Sequence, residues 1–251
     1  MADNLFGTGV RYLPILIIAV VWELLPALGI VSETLLPPMS VILMDFFRLL
    51  GDAELYQHAG ASLFRAGTGL LIAIVFGVTA GVLMAWYRPV RVVLNPIVQL
   101  FYPMPKSALI PVMIIWLGIG SASKIVLIFL GSMLPVIVSA FNGTRGVEQV
   151  YVWSARSLGA SEREVLWEVV LPAAMPQILN GIRTSLAICF VLLVASELLI
   201  AQEGLGYLIG ILGDNGIYPT MFAVIFMVIG MGFFADRLYL MFSRRMLSWL
   251  E

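Results

Sequence analysis

Twenty consecutive residues, from Gly67 to Trp86, carry no charged side chain. A helix needs about 20 apolar residues to cross the hydrocarbon core of a bilayer, so this stretch is long enough to span a membrane. The whole chain is 61% hydrophobic and only 12% charged, whereas a soluble domain carries about 25% charged residues. We therefore predict an all-α polytopic membrane protein, since a helix satisfies its backbone hydrogen bonds without water.

Further apolar segments bring the predicted number of spans to about six. These segments are Tyr12 to Leu28, Val92 to Leu117, Ile125 to Gly143, Gln177 to Ile200 and Tyr218 to Phe234. We expect a core of five spans in residues 57–244. Residues 1–56 then hold one N-terminal helix and an external amphipathic segment, and residues 245–251 form a short cytoplasmic tail. Of two intervening stretches, 87–91 is predicted to be a short basic loop, and 201–219 a glycine-rich loop with possible re-entrant character.

Small residues recur every four positions along the charge-free span. They are Gly69, Ala73, Gly77, Gly81 and Ala85. A strip of this kind on one helix face allows the backbone of another helix to approach closely. We predict that Gly69, Gly77 and Gly81 face a neighbouring helix and not lipid.

The third apolar segment is broken by prolines and contains a lysine. Broken helices persist inside membranes where protein or a water-filled cavity satisfies the freed backbone. Pro103, Pro105 and Lys106, together with Glu197 of the fifth segment, are therefore candidates for a translocation pathway. Lys106 has two open interpretations: a cation beside the route of an anionic substrate, or a lysine that snorkels or is neutralised by Glu197. For Glu197 itself a helix-capping or inter-helix role is favoured.

The sequence lacks the residues that several kinds of chemistry require. No lysine follows a glycine, so no GxxxxGK[ST] phosphate loop exists and the chain is not itself an ATPase. The one histidine, His58, rules out a histidine-based metal cluster and is expected at an exposed interface. We predict no catalytic residue and no metal site. The net charge of −1 offers no basis for nucleic-acid binding.

The stretch from Trp153 to Pro172 is charged and separates two apolar segments. Gly159 can end a first short helix, because glycine enters the left-handed region without steric cost. Ser161 and Glu164 then form a capping box for a second helix, which Pro172 is predicted to end. The pattern indicates a helix–glycine–helix hairpin at a membrane face.

The basic residues are distributed unequally between the two sides of the predicted topology. Six spans put both termini on one side, together with Arg11, Arg88, Arg91, Arg145, Arg156, Arg163, Arg183, Arg237, Arg244 and Arg245. Only Arg48, Arg65 and Lys124 face the other side. Cytoplasmic loops carry the excess of arginine and lysine, so the hairpin and both termini are predicted to be cytoplasmic.

The hairpin resembles the EAA loop of ABC-importer permeases, whose pattern is Glu-Ala-Ala, three residues, Gly, nine residues and Ile-x-Leu-Pro. Here Trp153, Ser154 and Val169 depart from that pattern. The resemblance implies a coupling helix that docks into a groove of the ATPase subunit, and an amphipathic linker lying on the membrane is the alternative. The candidate coupling residues are Trp153, Ala155, Arg156, Gly159, Ala160, Val169, Leu171 and Pro172.

Three other stretches are similar to the permeases of the nitrate, sulfonate and taurine importer group. They are Leu35 to Ile42, Leu100 to Val147 and Val194 to Ile209. The resemblance implies a type I importer in the inner membrane, with two permease copies, two cytoplasmic ATPase subunits and an external substrate-binding protein. It also implies that this chain binds no cofactor, and that ATP and Mg²⁺ are bound by the ATPase. The substrate would be a small, anionic solute such as a sulfonate, taurine or nitrate.

Two function classes compete with this interpretation. A self-sufficient secondary transporter could use Lys106 and Glu197 as an ion relay. An intramembrane enzyme would need a nucleophile paired with a base, or a metal cluster, and the apolar segments contain neither. The hairpin pattern favours the importer permease over both.

Overall fold

A computed structural model describes residues 2–199 and 201–249, with side chains given from Leu13 onward. All regular elements in these ranges are helical, as predicted. The α-helices are α1 (Ala2–Ala27), α2 (Met39–Leu49), α3 (Ala53–Trp86), α4 (Arg88–Phe101), α5 (Ile110–Leu117), α6 (Ser121–Arg145), α7 (Gln149–Ser157), α8 (Glu162–Glu164), α9 (Leu171–Leu199), α10 (Leu205–Asp214) and α11 (Tyr218–Met246). A 3₁₀ turn, Lys106–Leu109, precedes α5, and a π-helical turn, Val165–Val170, joins α8 to α9.

Among the described residues, four helices are long and apolar enough to cross a membrane, and one bent pair makes a possible fifth. The four lie within Ala53–Trp86, Ser121–Arg145, Glu162–Leu199 and Tyr218–Met246. The predicted N-terminal span corresponds to α1, but its described apolar part, Leu13–Ala27, is shorter than the roughly 20 residues that a spanning helix needs. Arg11, Tyr12 and Ile200, which entered the sequence-based topology, lie outside the residues whose side chains are described.

The core is built from α3, α6 and α9, and glycines of α3 set how closely α3 and α6 approach. A Cβ placed on Gly69 would lie 2.8 Å from Ile128 Cγ2. One placed on Gly77 would lie 2.7 Å from Val136 Cβ, and one on Gly81 would lie 2.5 Å from the carbonyl oxygen of Ile137. The small-residue strip therefore faces α6 at van der Waals contact between the two helices.

The proline-rich segment forms a broken helix. Its two halves, Arg88–Phe101 and Lys106–Leu117, meet at an angle of 92°. The predicted loop at residues 87–91 is wrong: only Tyr87, in an extended conformation, separates α3 from α4. Pro89 explains the difference, because proline in the first turn of a helix has a suitable φ and lacks a donor that would be unpaired there anyway.

The N-terminal helices pack on the outside of α11. The indole Nε1–H of Trp22 donates to the carbonyl of Pro37 at 3.0 Å, and the ring meets Phe222 edge to face. Thr220 Oγ1 donates to Asp45 Oδ2 at 2.7 Å, which ties α2 to the start of α11. The α1–α2 segment is thus attached to the bundle by polar and aromatic contacts.

The stretch 201–219, predicted as a glycine-rich loop with possible re-entrant character, contains the ten-residue helix α10. Glycine content suggested an irregular segment. The structure instead uses Gly204, at φ +119°, to turn the chain into the helix. Apolar residues of α10 then pack against Leu55 and Val224, so burial outweighs the low helix propensity of glycine.

Candidate functional site

The hairpin between α6 and α9 has the turn that its sequence predicts. Its first helix, α7, ends at Ser157 with Leu158 as the C-cap, and Gly159 follows with φ +92°. The amide of Ala160 donates to Ala155 O at 3.1 Å, and the amide of Gly159 donates to Arg156 O at 3.0 Å. These two bonds form a Schellman motif, which satisfies the last carbonyls of α7 and requires the left-handed residue that glycine supplies.

The second helix of the hairpin starts at the predicted capping box. Ser161 N–H donates to Glu164 Oε2 at 2.6 Å, and Glu164 N–H donates to Ser161 Oγ at 3.4 Å. On the opposite side of the turn, Arg156 Nη2 donates to Glu162 Oε2 at 3.0 Å. The turn is therefore held by local bonds at both of its helix ends.

The prediction that Pro172 ends this helix is wrong, because the helix continues into α9. The chain passes Pro172 by widening into a π-helical turn, in which Leu171 N–H donates to Leu166 O. A proline ring ordinarily clashes with the carbonyl four residues earlier, and the wider turn relieves that contact. As a result, the second helix of the hairpin and the fifth predicted span form one continuous helix from Glu162 to Leu199.

The inner face of the hairpin is buried against the ends of α3 and α6. Val152 of α7 and Val165, Leu166 and Val170 of the π turn are all buried. They form one cluster with Val82 of α3, Ala140 and Val147 near the end of α6, and Ala174 and Ile178 of α9. Candidate coupling residues Ala155, Ala160 and Leu171 pack on the same cluster. A displacement of the hairpin would thus be transmitted directly to three core helices.

The outer face of the hairpin exposes large apolar side chains. Leu158, beside the glycine turn, is 88% exposed, and Trp153 is 60% exposed. Val150 and Tyr151 are exposed as well, whereas the exposed Trp167 faces a cleft lined by α3, α9 and α11. This outer hairpin patch is flanked by Arg156, Glu162, Arg163 and Glu164. Apolar side chains of this size within a charged segment are typical of a protein-binding surface.

The two candidates for an ion relay, Lys106 and Glu197, have different partners. Lys106 Nζ donates to the carbonyl of Tyr102 at 2.7 Å. Glu197 is fully buried and pairs with Arg65, whose Nη1 lies 2.7 Å from Glu197 Oε1. Neutralisation of Lys106 by Glu197, one of the alternatives left open by the sequence, is therefore not what the structure shows, because each side chain has a different partner. A relay between the two gains no support from this geometry. Pro103 and Pro105 lie in the non-helical turn that precedes Lys106.

Glu197 also caps α10. Its Oε2 accepts from Gly206 N–H at 3.1 Å and from Ser62 Oγ at 2.7 Å, and Ser62 Oγ accepts from Leu205 N–H at 2.8 Å. A carboxylate at a helix N-terminus satisfies free amide donors and interacts favourably with the helix dipole. The helix-capping role favoured from the sequence is the one that the structure shows.

His58 belongs to the same buried group, contrary to the expectation of an exposed interfacial residue. Its Nδ1 accepts from Gly204 N–H at 2.9 Å, and its ring stacks at a tilt on Tyr207. Arg65 Nη2 further donates to Glu203 Oε1 at 2.6 Å. Sequence reasoning missed these contacts, although a lone carboxylate in an apolar helix does indicate a cationic partner.

The described residues contain no group of three or more His, Cys, Asp or Glu side chains that could hold a metal ion. Cys189 is buried among apolar side chains of α3, α6 and α9. Neither observation assigns a chemical reaction to the bundle. The features that remain are an ordered hairpin at one end and a broken helix beside the core.

Comparison with known proteins decides what this arrangement is. A family model described as the binding-protein-dependent transport system inner membrane component matches residues 73–248. The chain belongs to this family. It is the membrane-spanning permease component of an ABC importer, as the sequence motifs predicted, and is not an enzyme.

Individual relatives of the permease are similar over nearly its whole length. The taurine transport system permease protein TauC of Escherichia coli (strain K12) is 37% identical, over 93% of this chain and 86% of TauC. The putative aliphatic sulfonates transport permease protein SsuC of Bacillus subtilis (strain 168) is 35% identical, over 94% and 86% respectively. The sequence-based assignment to the sulfonate and taurine group is therefore confirmed.

Solved structures show the same fold for the permease. A chain of the MetNI methionine ABC transporter, in an inward-facing conformation, superposes with a TM-score of 0.66. The match covers 77% of this chain and 96% of that one, at 20% sequence identity. The likeness supports the helical architecture of the permease.

Proposed function

We propose that this permease imports small organic sulfonates, with taurine and short alkanesulfonates as the substrate class. The observation that carries the proposal is its 35–37% identity, over more than nine-tenths of the chain, to a taurine permease and an aliphatic sulfonate permease. A sulfonate is an anion whose oxygens only accept hydrogen bonds. Lys106, at the break between α4 and α5, supplies a cation at membrane depth for such a group.

The hairpin from Trp153 to Pro172 is proposed as the surface that couples the permease to its ATPase subunits. Its support is geometric: the turn is rigid, its inner face is buried against core helices, and its outer face exposes Trp153 and Leu158. A short helix that presents apolar anchors to a groove is a recurrent mode of protein recognition. ATP and Mg²⁺ would be bound by the partner, and none by this chain.

The assembly is proposed to contain two copies of this permease, two ATPase subunits and an external substrate-binding protein. Residues 57–244 would form the permease core, residues 1–56 an N-terminal transmembrane helix and an external amphipathic segment, and residues 245–251 the short cytoplasmic tail. The location is the inner membrane, with both termini and the hairpin on the cytoplasmic side. Its support is the ten-to-three distribution of basic residues, since positive residues are retained in cytoplasmic loops.

Reconstitution tests the proposed substrate directly. The permease, its co-purified ATPase and its binding protein would be placed in liposomes, with radiolabelled taurine outside and ATP inside. We expect ATP-dependent taurine uptake that unlabelled ethanesulfonate inhibits and methionine does not. Taurine binding to the binding protein without any ATP-dependent uptake would contradict the proposal.

A further inference from the structure

The helix α4 has three distinct faces, and the first of them packs on the bundle. Val90, Leu94 and Val98, at steps of four residues, contact a buried cluster formed by α3 and α6. That cluster contains Ala80, Met84, Leu134 and Ile137. This face holds α4 in place and fixes the direction of the other two.

The second face of α4 is apolar and exposed. Val93, Ile97 and Leu100 are 65%, 49% and 73% exposed, and they lie on one side of the helix at steps of four and three residues. Side chains of this kind on a membrane helix are suited to lipid.

The third face of α4 is polar. Asn95 and Gln99 are separated by four residues and Tyr102 follows three later, so the three lie on one stripe, nearly opposite Ile97. Asn142 of α6 lies across from the stripe. Together these side chains line a cleft of about 360 Å³, at the lower end of the range for small-molecule sites. Its other lining residues are Met84, Val98, Pro103, Ile137, Val138 and Phe141.

The polar stripe connects two places that matter for transport. Lys106 lies beside the Tyr102 end of the stripe, and its Nζ donates to Tyr102 O. The Lys106 side chain passes beside Gly131, near the middle of α6. Across the cleft from the stripe, Asn142 lies three residues before the end of α6, which leads into the hairpin. Asn95 and Tyr102 are roughly 10 Å apart along the axis, at 1.5 Å per residue.

Polar side chains at this depth have a cost unless water, substrate or protein contacts them. Asn95 is half-buried, and Gln99, Tyr102 and Asn142 are exposed in the single chain. Lipid would leave their amide and hydroxyl groups without partners. The apolar face of the same helix is suited to lipid contact, whereas the stripe offers hydrogen-bonding groups to water or to a polar solute.

We propose that Asn95, Gln99, Tyr102 and Asn142 line the inner half of the translocation route and bind the sulfonate group as it moves from Lys106 towards the hairpin side. This inference rests on the proposed function. Amide N–H and phenol O–H groups donate to sulfonate oxygens. Neutral donors in series bind an anion weakly enough to release it, whereas a second fixed cation would retain it. The ligand class is a small sulfonate, and the cleft is its intermediate site.

The first test is taurine uptake in the reconstituted importer with Gln99→Leu and Asn142→Leu. Each change keeps side-chain size and removes hydrogen-bond donors, so we expect uptake to fall about tenfold for each variant. Stimulation of ATP hydrolysis by the binding protein should persist, because the hairpin is unchanged. The matched control is Ile97→Leu on the lipid face, with uptake as in the parent. Parent-like uptake in both amide variants would overturn the inference while leaving the proposed function intact.

The second test needs no transported substrate and so separates the two proposals. In a Cys189→Ser background, a single cysteine replaces Gln99 or Ile97. Inside-out membranes that contain each variant are then treated with 2-sulfonatoethyl methanethiosulfonate in the absence of nucleotide. This reagent is itself a small sulfonate and reacts with thiolates, which require water. We expect fast modification of Gln99→Cys and slow modification of Ile97→Cys. Equal modification rates for the two variants would contradict the proposed route, even if the parent imports taurine. An unreactive Gln99→Cys that forms a disulfide with a second copy would contradict it as well.

Discussion

Arg65 of α3 and Glu197 of α9 form an ion pair with an Nη1–Oε1 distance of 2.7 Å, and both side chains are almost completely buried. The pair lies at the end of the bundle opposite the hairpin. Around it, Glu197 caps α10 through Gly206, and Arg65 reaches the carbonyl of Glu203 at 2.8 Å. The network fastens α10 to two core helices, so α10 is held as firmly as the core at this end.

Removing one partner of this pair should destabilise the permease strongly. Arg65→Met leaves Glu197 buried without its cation, and we expect a loss of about 3–5 kcal/mol in the free energy of unfolding. The control is Glu203→Gln, whose side chain is 58% exposed; its pair with Arg65 should contribute less than about 1 kcal/mol. Thermal unfolding of the purified permease measures both. An equal shift of the midpoint in the two variants would contradict a structural role for the buried pair.

The close approach of α3 and α6 at the glycine strip predicts that two glycine-to-leucine substitutions in α3 differ in their effect on stability. Gly77→Leu would force side-chain atoms into Val136 and should cost about 1–3 kcal/mol. Gly67→Leu, on the same helix, is the matched control, because a Cβ at Gly67 meets no atom within 4 Å. Thermal stability and yield of the assembled importer should fall for Gly77→Leu only. A lipid-facing strip would instead leave both variants as stable as the parent.

Gly159 is predicted to be essential for coupling and dispensable for membrane insertion. Valine at φ +92° should cost about 1–2 kcal/mol and displace the turn of the hairpin. We expect Gly159→Val to insert normally, to retain the ATPase subunit poorly on affinity purification and to lose uptake. Arg163→Gln, an exposed change in the same turn, serves as the control. Full ATPase retention by Gly159→Val would show that this turn is not part of the docking surface.

Trp153 stands where the EAA pattern has an acidic residue, and its exposure suggests docking by apolar burial. Trp153→Ala should weaken ATPase binding by at least about 2 kcal/mol if the indole is an interface anchor. Added salt should hardly change binding of the parent, because screening acts on charges and not on apolar contacts. Pull-down across a salt series measures both effects. Binding by the parent that falls steeply with salt would favour a charge-based interface instead.

The proposed orientation predicts which sites are labelled from which side of the membrane. In a Cys189→Ser background, single cysteines at Ser154 and Ser243 should react with an impermeant reagent only in inside-out vesicles. One at Asp214, the last residue of α10, should react only in intact cells treated from outside. Labelling of Ser154 from outside would contradict both the orientation and the coupling role of the hairpin.

The sequence alone determined the features that depend only on residues close together in the chain. The charge-free run from Gly67 to Trp86 is long enough to span a bilayer whatever packs around it. Gly159, Ser161 and Glu164 specify their turn through bonds between residues at most five apart, which is why both the Schellman motif and the capping box were predictable. The period-four glycines indicated one close-packed face, although they did not identify α6 as the partner.

Only the tertiary structure decided the features that depend on residues far apart in the chain. Arg65 and Glu197 are 132 positions apart, and hydropathy contains no information on which cation a buried carboxylate meets. The same applies to His58, whose burial depends on the turn at Gly204, 146 positions away. Pro172 ends no helix because burial of Val165, Leu166 and Val170 against α3 and α6 stabilises a π turn that a local rule treats as a break. Packing energy shared among distant segments outweighs local preference at these positions, so sequence patterns alone gave the wrong answer there.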